Sequence, residues 1–199
     1  MGRNVRIPKE KLLQTGLKML IKDGYSSINI TTLAREAGCS TQPVAWHFGN
    51  MESFRSELAE YALDYVNGKM VLDSGDPLAD FLNIGRVYVD MAFDEPKLVR
   101  FLQLDEAGRR SSEGIGFVFE DKKNVLLAER LAEKFGIDVL TARSFMQSAA
   151  IYTQGLVTLI SSGAVKCERD EAHKLLVDFG TTLLIGLGVP KDRAERAFD

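Results

Sequence analysis

Residues 24–48 read GYSSINITTLAREAGCSTQPVAWHF and contain two short helical patterns joined by a turn with a glycine. Asn29 is a favoured N-cap residue directly before the first pattern, residues 30–37, in which apolar residues recur at helical spacing. Gly38 follows and can take the left-handed conformation that ends many helices. The first pattern therefore predicts a short helix with one apolar face.

The second pattern, residues 41–47, predicts another short helix. Ser40 can cap it, and Pro43 is tolerated in its first turn because no intrahelical donor is needed there. We expect Trp46 and Phe48 to anchor this helix, since aromatic side chains in a small three-helix unit are usually core. Three side chains are expected to project towards a partner: Thr41, Gln42 and Val44. The two helices predict a helix-turn-helix, whose second helix fits the DNA major groove.

These residues resemble the tetracycline-repressor (TetR) family of bacterial transcriptional regulators. The resemblance covers residues 12–58 and rests on an ordered set of residues: Gly24, Tyr25, Leu33, Ala34, Ala37, Gly38, Ser40, Gln42, Pro43, Trp46, His47, Phe48 and the helix opening at 50–54. It implies an all-α homodimer with an N-terminal three-helix helix-turn-helix DNA-binding domain. A C-terminal helical domain would bind a ligand and dimerise. We accordingly expect residues 1–50 to form the first domain and residues 51–199 the second.

The resemblance also implies which residues contact DNA. The matching positions are Thr31, Arg35, Thr41, Gln42, Pro43, His47 and Asn50. The chain departs from the family at Ala45, where Tyr is usual, and at Met51, where Lys is usual. Both usual residues contact phosphate in the family. Because each phosphate contact adds a counterion-release contribution, we expect a flatter salt dependence of DNA binding than in a typical member.

Length and charge place the chain among ordinary globular proteins. Its 199 residues, 45% of them hydrophobic, are enough for one or two domains with a core. Residues 1–50 carry seven Lys/Arg and three Asp/Glu, a net charge of +4, and the whole chain has −3, so residues 51–199 carry −7. This asymmetry indicates a basic DNA-reading part joined to an acidic sensing or dimerising body.

The sequence argues against an enzyme. Its two histidines are His47 and His173, and its two cysteines, Cys39 and Cys167, have no His or Cys partner at metal-ligand spacing. We expect His173 to be a solvated surface residue. No strand pattern precedes the glycines at 114–116, and no phosphate-binding loop or nucleophile motif is present. The predictions are no catalytic residue, no metal and no cofactor.

No charged residue lies between Arg143 and Lys166, a length that could cross a bilayer. Polar residues interrupt this segment on all sides, which favours a helix buried among other helices. Two cysteines are too few for a disulfide framework, and no secretory signal pattern follows the basic residues at the start of the chain. We therefore expect a cytoplasmic protein with no membrane contact.

Apolar spacing and turn residues predict further helices. We expect helices at residues 8–23, 51–67, 78–93, 96–104, 121–135, 138–162 and 169–187, and a loop at 105–116. Leu126 is expected to point inward from its helix. The last two long helices are expected to pack against a second copy, with the alternative that they form only the core of one subunit. Small residues there would allow close approach: Ala150, Gly155, Gly180 and Gly186.

A small-molecule site is expected between the helices of the body, because such sites are largely apolar with a few polar groups. The apolar candidates are Phe81, Tyr88, Met91, Phe101, Phe117, Phe145, Met146 and Tyr152. The polar candidates are Arg109, Arg110, Arg143 and Gln147. Each apolar candidate would also suit the core of the body.

Together with these patterns, the resemblance implies a dimeric, ligand-responsive transcriptional regulator, expected to be a repressor that a small molecule releases from DNA. The helix at 41–47 of each subunit would enter one major groove of a pseudo-palindromic operator. Gln42 is the expected base contact. The alternative is a helical small-molecule-sensing or protein-interaction module with weakened or lost DNA binding, which fits Ala45 and Met51. An all-helical enzyme has no cluster of titrating groups to support it.

Overall fold

The computed structural model describes residues 7–70, 72–105 and 122–198. These residues form ten α-helices in this order: α1 (Lys9–Asp23), α2 (Ile30–Ala37), α3 (Thr41–Phe48), α4 (Met51–Asn67), α5 (Pro77–Asp94), α6 (Pro96–Arg100), α7 (Lys122–Phe135), α8 (Val139–Ser161), α9 (Arg169–Gly186) and α10 (Lys191–Arg196). A 3-10 turn at Tyr25–Ser27 follows α1, and a π-helical turn at Phe101–Asp105 follows α6. No strand occurs in the described ranges, and the all-α prediction is confirmed.

The predicted helix bounds agree with the structure to within one residue at each end for α1 to α5 and for α7 to α9. The segment predicted as one helix at 96–104 divides into α6 and the π-helical turn. The predicted loop at 105–116 lies outside the described residues except for Asp105, which ends the π-helical turn. Apolar spacing and caps are local signals, which explains why these bounds were readable from the sequence.

The helices fall into two compact units. The first comprises Met1–Gly68 and Glu95–Gly108, and the second comprises Lys69–Asp94 and Arg109–Asp199. The chain thus leaves the first unit after α4, forms α5 in the second unit, and returns to the first for α6. The predicted boundary between a DNA-binding domain, residues 1–50, and a ligand-binding and dimerisation domain, residues 51–199, is defined by function. It stays a prediction.

Local hydrogen bonds define both ends of α2. Asn29 Oδ1 accepts from the backbone amides of Thr31 and Thr32, each at 3.0 Å, and the Thr32 hydroxyl accepts from the Asn29 amide at 2.9 Å. This is a capping box, and it satisfies donors that a helix start leaves without an intrahelical partner. At the other end Gly38 has φ 71°, and the Cys39 amide donates to Ala34 at 2.9 Å. Both predicted caps of α2 are confirmed.

The side chain of Phe54, on α4, is fully buried in the first unit. Gly16 of α1 approaches its ring so closely that an added Cβ would lie 2.6 Å from Phe54 Cζ. Phe48, at the end of α3, meets the same ring edge-on with 5.0 Å between centroids. Other side chains of this core without solvent exposure are Leu12, Leu20, Leu33 and Leu58. One aromatic ring therefore joins α1, α3 and α4.

α6 and the turn after it are held against α1 and α4 within the first unit. Lys97 Nζ donates to the carbonyl oxygen of Lys22, in the last turn of α1, at 2.7 Å. Phe101 stacks on Tyr25 with 5.2 Å between ring centroids. The Arg55 guanidinium of α4 lies 4.4 Å from the Tyr25 ring centroid and 5.3 Å from that of Phe101. Cation–π contacts of this kind add to the apolar packing.

The second unit packs α5, α7, α8 and α9 around an apolar cluster. Phe81 of α5 meets Phe145 of α8 with 5.6 Å between ring centroids. Of the two neighbouring leucines on α7, Leu127 is buried and Leu126 is 56% exposed, so the prediction that Leu126 points inward is wrong. Neighbouring helical positions point about 100° apart, because a turn takes 3.6 residues. The apolar pattern is compatible with burial of either leucine, and the helices packed around α7 decide which of the two is buried.

Gly180 of α9 lies beneath the ring of Phe198, and an added Cβ would lie 2.8 Å from Phe198 Cζ. The tail of the same chain therefore packs on Gly180, and the approach of a second copy at this glycine stays a prediction. Gly155 and Gly186 differ from Gly180, because outside the local helix backbone an added Cβ at either would meet no atom of residues 7–70, 72–105 and 122–198 within 4 Å.

Asp80, near the start of α5, is a charged residue with only 3% exposure. Its Oδ1 accepts hydrogen bonds from the Ser74 amide at 3.1 Å and the Ser74 hydroxyl at 2.6 Å. Its Oδ2 lies 3.7 Å from Nη1 of Arg130 on α7. A buried carboxylate requires such partners because burial removes its hydration. These contacts fix the start of α5 against α7.

His173 of α9 belongs to an ion-pair cluster with α5. Its Nε2 lies 2.9 Å from Asp90 Oδ1, which also accepts from Arg169 Nη1 at 2.8 Å. Arg169 donates to Asp94 as well, and this hydrogen bond lowers the pKa of the Asp94 carboxyl below its ordinary value. His173 is half-buried and paired. The prediction of a solvated surface histidine is therefore wrong.

We predict that Gly38→Val lowers the free energy of unfolding by about 1–3 kcal/mol, because a β-branched residue resists a positive φ. Apart from its chain neighbours, no atom of the described part of the chain lies within 4 Å of an added Cβ at Gly38, so the loss would come from the backbone. Gly38→Asn is the matched control and should lose less, since Asn tolerates the left-handed region. Urea unfolding measures both variants. A Val variant as stable as the wild type would contradict the assigned role of Gly38.

Candidate nucleic-acid interface

The α3 helix has two faces that differ in exposure. Val44 and Phe48, one turn apart, are buried against the first unit. We call the opposite side the α3 outer face, and its exposed residues are Thr41, Gln42, Ala45 and Trp46. This face presents a hydroxyl, a carboxamide and an indole, with no charged group. Carboxamide and hydroxyl groups are among those that read base edges in the major groove.

The predictions for Val44 and Trp46 are wrong. Val44, expected to face a partner, is 2% exposed, and Trp46, expected to be core, is 70% exposed. The prediction for Phe48 is confirmed by its contact with Phe54. Positions 46 and 48 point about 200° apart on a helix, so burial of one turns the other outward. The spacing of Gln42 and Trp46, one turn apart, was the signal in the sequence that places both on one face.

Ser40 occupies the N-cap position of α3, as predicted, with extended backbone at φ −77° and ψ 171°. Its side chain makes no cap hydrogen bond, so that part of the prediction is wrong. The amides in the first turn of α3 have no intrahelical acceptor. They lie at the same end of the helix as Thr41 and Gln42, and a helix N-terminus favours negatively charged groups.

His47 is half-buried and turned from the α3 outer face. Its Nε2 lies 2.8 Å from the carbonyl oxygen of Ile7, so this nitrogen carries a hydrogen and donates it. The bond ties the end of α3 to the residue just before α1. The predicted contact between His47 and DNA stays a prediction, with Nε2 already engaged by the backbone.

The remaining predicted contact residues lie on α2, in α3 and at the start of α4. Thr31 and Arg35 are exposed on α2. Pro43 is half-buried in the first turn of α3. Asn50 is exposed, and its Oδ1 caps α4 by accepting from the Ser53 amide at 2.9 Å. Their contacts with DNA stay predictions.

The predicted small-molecule candidates are divided between the two units. Phe101 is buried in the first unit, whereas Phe81 and Phe145 meet in the core of the second. Tyr152 of α8 stacks on Phe179 of α9 with 4.0 Å between ring centroids. Three further candidates are buried or half-buried: Tyr88, Met91 and Met146. Apolar packing within the units thus engages several candidates, and their contact with an effector stays a prediction.

Among the polar candidates, Arg143 and Gln147 are half-buried on α8, one turn apart. Arg143 Nε is a buried atom that has no hydrogen-bond partner among the residues that the structure describes. A buried donor without a partner is unfavourable, so an acceptor from a ligand would stabilise it. Three candidates lie outside the described residues: Arg109, Arg110 and Phe117.

Most of the uncharged stretch after Arg143, residues 144–161, belongs to α8, which packs against α5, α7 and α9 in the second unit. Within residues 7–70, 72–105 and 122–198, no helix combines the length and apolarity that crossing a membrane requires. In the same ranges, no three His, Cys, Asp or Glu side chains come together as metal ligands.

Comparison with known proteins supports the fold. No family model matches the chain, and no curated protein matches it. A solved structure, the crystal structure of a TetR-like transcriptional regulator from Rhodococcus sp. RHA1, matches with a TM-score of 0.54. The match covers 96% of this chain and 100% of the other at 11% sequence identity, a level at which the likeness concerns the fold. The chain thus has the fold of a TetR-like transcriptional regulator, as the resemblance implied.

Proposed function

We propose that the protein is a DNA-binding transcriptional regulator of the TetR type that acts in the cytoplasm as a homodimer. It represses by binding a pseudo-palindromic operator and is released by a small molecule. The observation that carries the proposal is the α3 outer face, where Thr41 and Gln42 are exposed on the second helix of a helix-turn-helix. The shared fold with a TetR-like regulator supports the same conclusion.

Gln42 is the residue that we assign to base reading. Its carboxamide can donate to N7 of adenine and accept from N6 of the same base, a bidentate pairing specific for adenine in the major groove. It lies in the first turn of α3, and recognition helices bring their N-terminal residues to the base edges. A two-fold dimer presents two such helices, so the operator should contain two symmetric half-sites.

Thr31, Thr41 and Asn50 are assigned to phosphate contacts. All three side chains are exposed and carry hydroxyl or amide donors. Contacts with phosphate position a protein on DNA without reading its sequence. α3 contains no Lys or Arg, so these neutral donors, with the exposed Arg35 of α2, carry the positioning.

An exposed apolar stripe on α8 supports the homodimer. Ile151 and Leu159 are 56% and 45% exposed. Gly155 lies between them at a spacing of four residues, so the three share one face of the helix. Outside the backbone of its own helix, an added Cβ at Gly155 meets no atom of the described residues within 4 Å, which leaves room for a partner helix to approach. Burial of this stripe against its counterpart would stabilise a symmetric dimer.

The course of the chain supports coupling between a ligand and DNA binding. α5 ends at Asp94 in the second unit, and α6 begins at Pro96 in the first, where Lys97 holds it to the end of α1. A shift at the end of α5 therefore acts directly on the first unit. A ligand with different affinities for two such arrangements changes DNA affinity, typically by about 1–3 kcal/mol. The buried Arg143 Nε supports an effector with an anionic or polar acceptor group.

The alternative is a helical sensing or interaction module with weakened DNA binding. Ala45 favours it, because it is exposed on the α3 outer face and has no donor for phosphate. Met51, at the start of α4, likewise lacks a donor. A mobility-shift measurement at low salt with the DNA upstream of the gene separates the two functions. Formation of a specific complex supports the regulator, and failure to form any complex supports the alternative.

We predict that Gln42→Ala reduces the preference for the operator over random DNA by about 1–3 kcal/mol per half-site, because a bidentate base contact is lost. Gln14→Ala is the matched control, since Gln14 is also an exposed glutamine of the first unit but lies on α1. Both variants should unfold at the wild-type urea concentration. Competition binding measures the preference, and an unchanged preference in Gln42→Ala would remove this residue from base reading.

We predict that Ile151→Arg shifts the protein from dimer to monomer, because two buried arginines would face each other across the interface. Leu126→Arg is the matched control, since Leu126 is an equally exposed apolar residue on α7, at 56%. Sedimentation over a range of concentrations measures the association. A dimer of unchanged strength in Ile151→Arg would show that this stripe is not the interface.

A further inference from the structure

Trp46 is the one tryptophan of the sequence and is 70% exposed in the second turn of α3. Indole has a broad apolar surface that folding normally removes from water. Val44 and Phe48 are the buried residues on the inner face of the helix, whereas position 46 is exposed. A polar residue at position 46 would therefore leave the packing of α3 in the first unit unchanged. The exposure is therefore best explained by a contact outside the first unit.

Gln42 and Trp46 form neighbouring parts of the α3 outer face. They are four residues apart, and side chains at this spacing have Cβ atoms about 5–6 Å from each other. Successive bases along a DNA strand rise about 3.4 Å, so the two side chains reach bases within about two steps of each other. Ala45, exposed beside them, is too short to cover the indole.

Contacts within the first unit orient the indole. The His47 ring meets the Trp46 ring edge-on, with 4.6 Å between centroids and 68° between planes. His47 is itself held by its hydrogen bond to the Ile7 carbonyl oxygen. An orientation that exists before binding reduces the ordering entropy of association.

The chemistry of indole selects one feature of the major groove. Its rings offer apolar surface and a single donor, Nε1–H, with no acceptor. Among the four bases, thymine presents an apolar group in the major groove, the C5 methyl. We propose that Trp46 is a specificity-determining residue that packs on the C5 methyl of a thymine within two base pairs of the base read by Gln42. This inference rests on the proposed function and adds a second read position to each half-site.

The test begins with operator duplexes selected from random DNA by the full-length wild-type chain. Each thymine of the selected half-site is then replaced in turn by deoxyuridine, which removes only the C5 methyl. We expect one thymine per half-site at which the replacement weakens binding about fourfold, the effect of exposing one buried methyl-sized group. At the other thymines the replacement should leave binding unchanged.

Two variants assign that effect to Trp46. Trp46→Ala should bind the thymine and deoxyuridine operators equally, and Trp46→Phe should retain part of the difference because it keeps an aromatic face. Leu140→Ala, at a residue 76% exposed on α8, is the control and should keep the full fourfold difference. Circular dichroism and urea unfolding should match the wild type, because the indole is exposed.

The outcomes separate this inference from the proposed function. A selected operator whose affinity no deoxyuridine replacement changes overturns the inference and leaves the regulator intact. So does a methyl effect that Trp46→Ala retains in full. Failure of the wild-type chain to select any sequence overturns the proposed function, and the inference with it. A methyl effect lost in Trp46→Ala and kept in Leu140→Ala supports both.

Discussion

The burial of the Phe54 ring organises the first unit. Gly16 allows the ring to lie directly against α1, and Phe48 packs on its edge from the end of α3. Because Phe48 must face inward, the helical repeat turns Gln42 and Trp46 outward together. The surface proposed to read DNA is thus a consequence of one aromatic contact. Larger residues at position 16 would disturb that contact, since an added Cβ already meets the ring.

The proposed control of DNA binding depends on the passage of the chain from α5 in the second unit to α6 in the first. The segment after α5 packs in the first unit through Phe101 on Tyr25, with Arg55 over both rings. Phe101 begins the π-helical turn Phe101–Asp105, a geometry that is rare overall and frequent at functional sites. α5 in turn is fixed to α7 through Asp80 and its partners. In the proposed mechanism, the covalent link from Asp94 to Pro96 would carry a change at the end of α5 to α6, which Lys97 ties to α1.

Helix bounds and both caps of α2 were predictable because their signals lie within a few residues. Asn29 and Gly38 define α2 by hydrogen bonds and a φ value that involve only neighbours in the chain. The direction of single side chains was less predictable. Leu126 and Leu127 fit the same pattern, and the surrounding helices bury the second. His173 looked solvated because its partner, Asp90, lies on α5, far away in sequence.

For the candidate site, the sequence by itself determined that two short helices with a tight turn occur at residues 30–48, with Gln42 near the start of the second. Local propensity and capping suffice for that, because they act over about one helical turn. Only the tertiary structure decided which side of α3 faces outward, that Trp46 shares it with Gln42, and that His47 binds Ile7. Each depends on contacts between residues distant in sequence, such as Gly16 with Phe54, which periodicity cannot reveal.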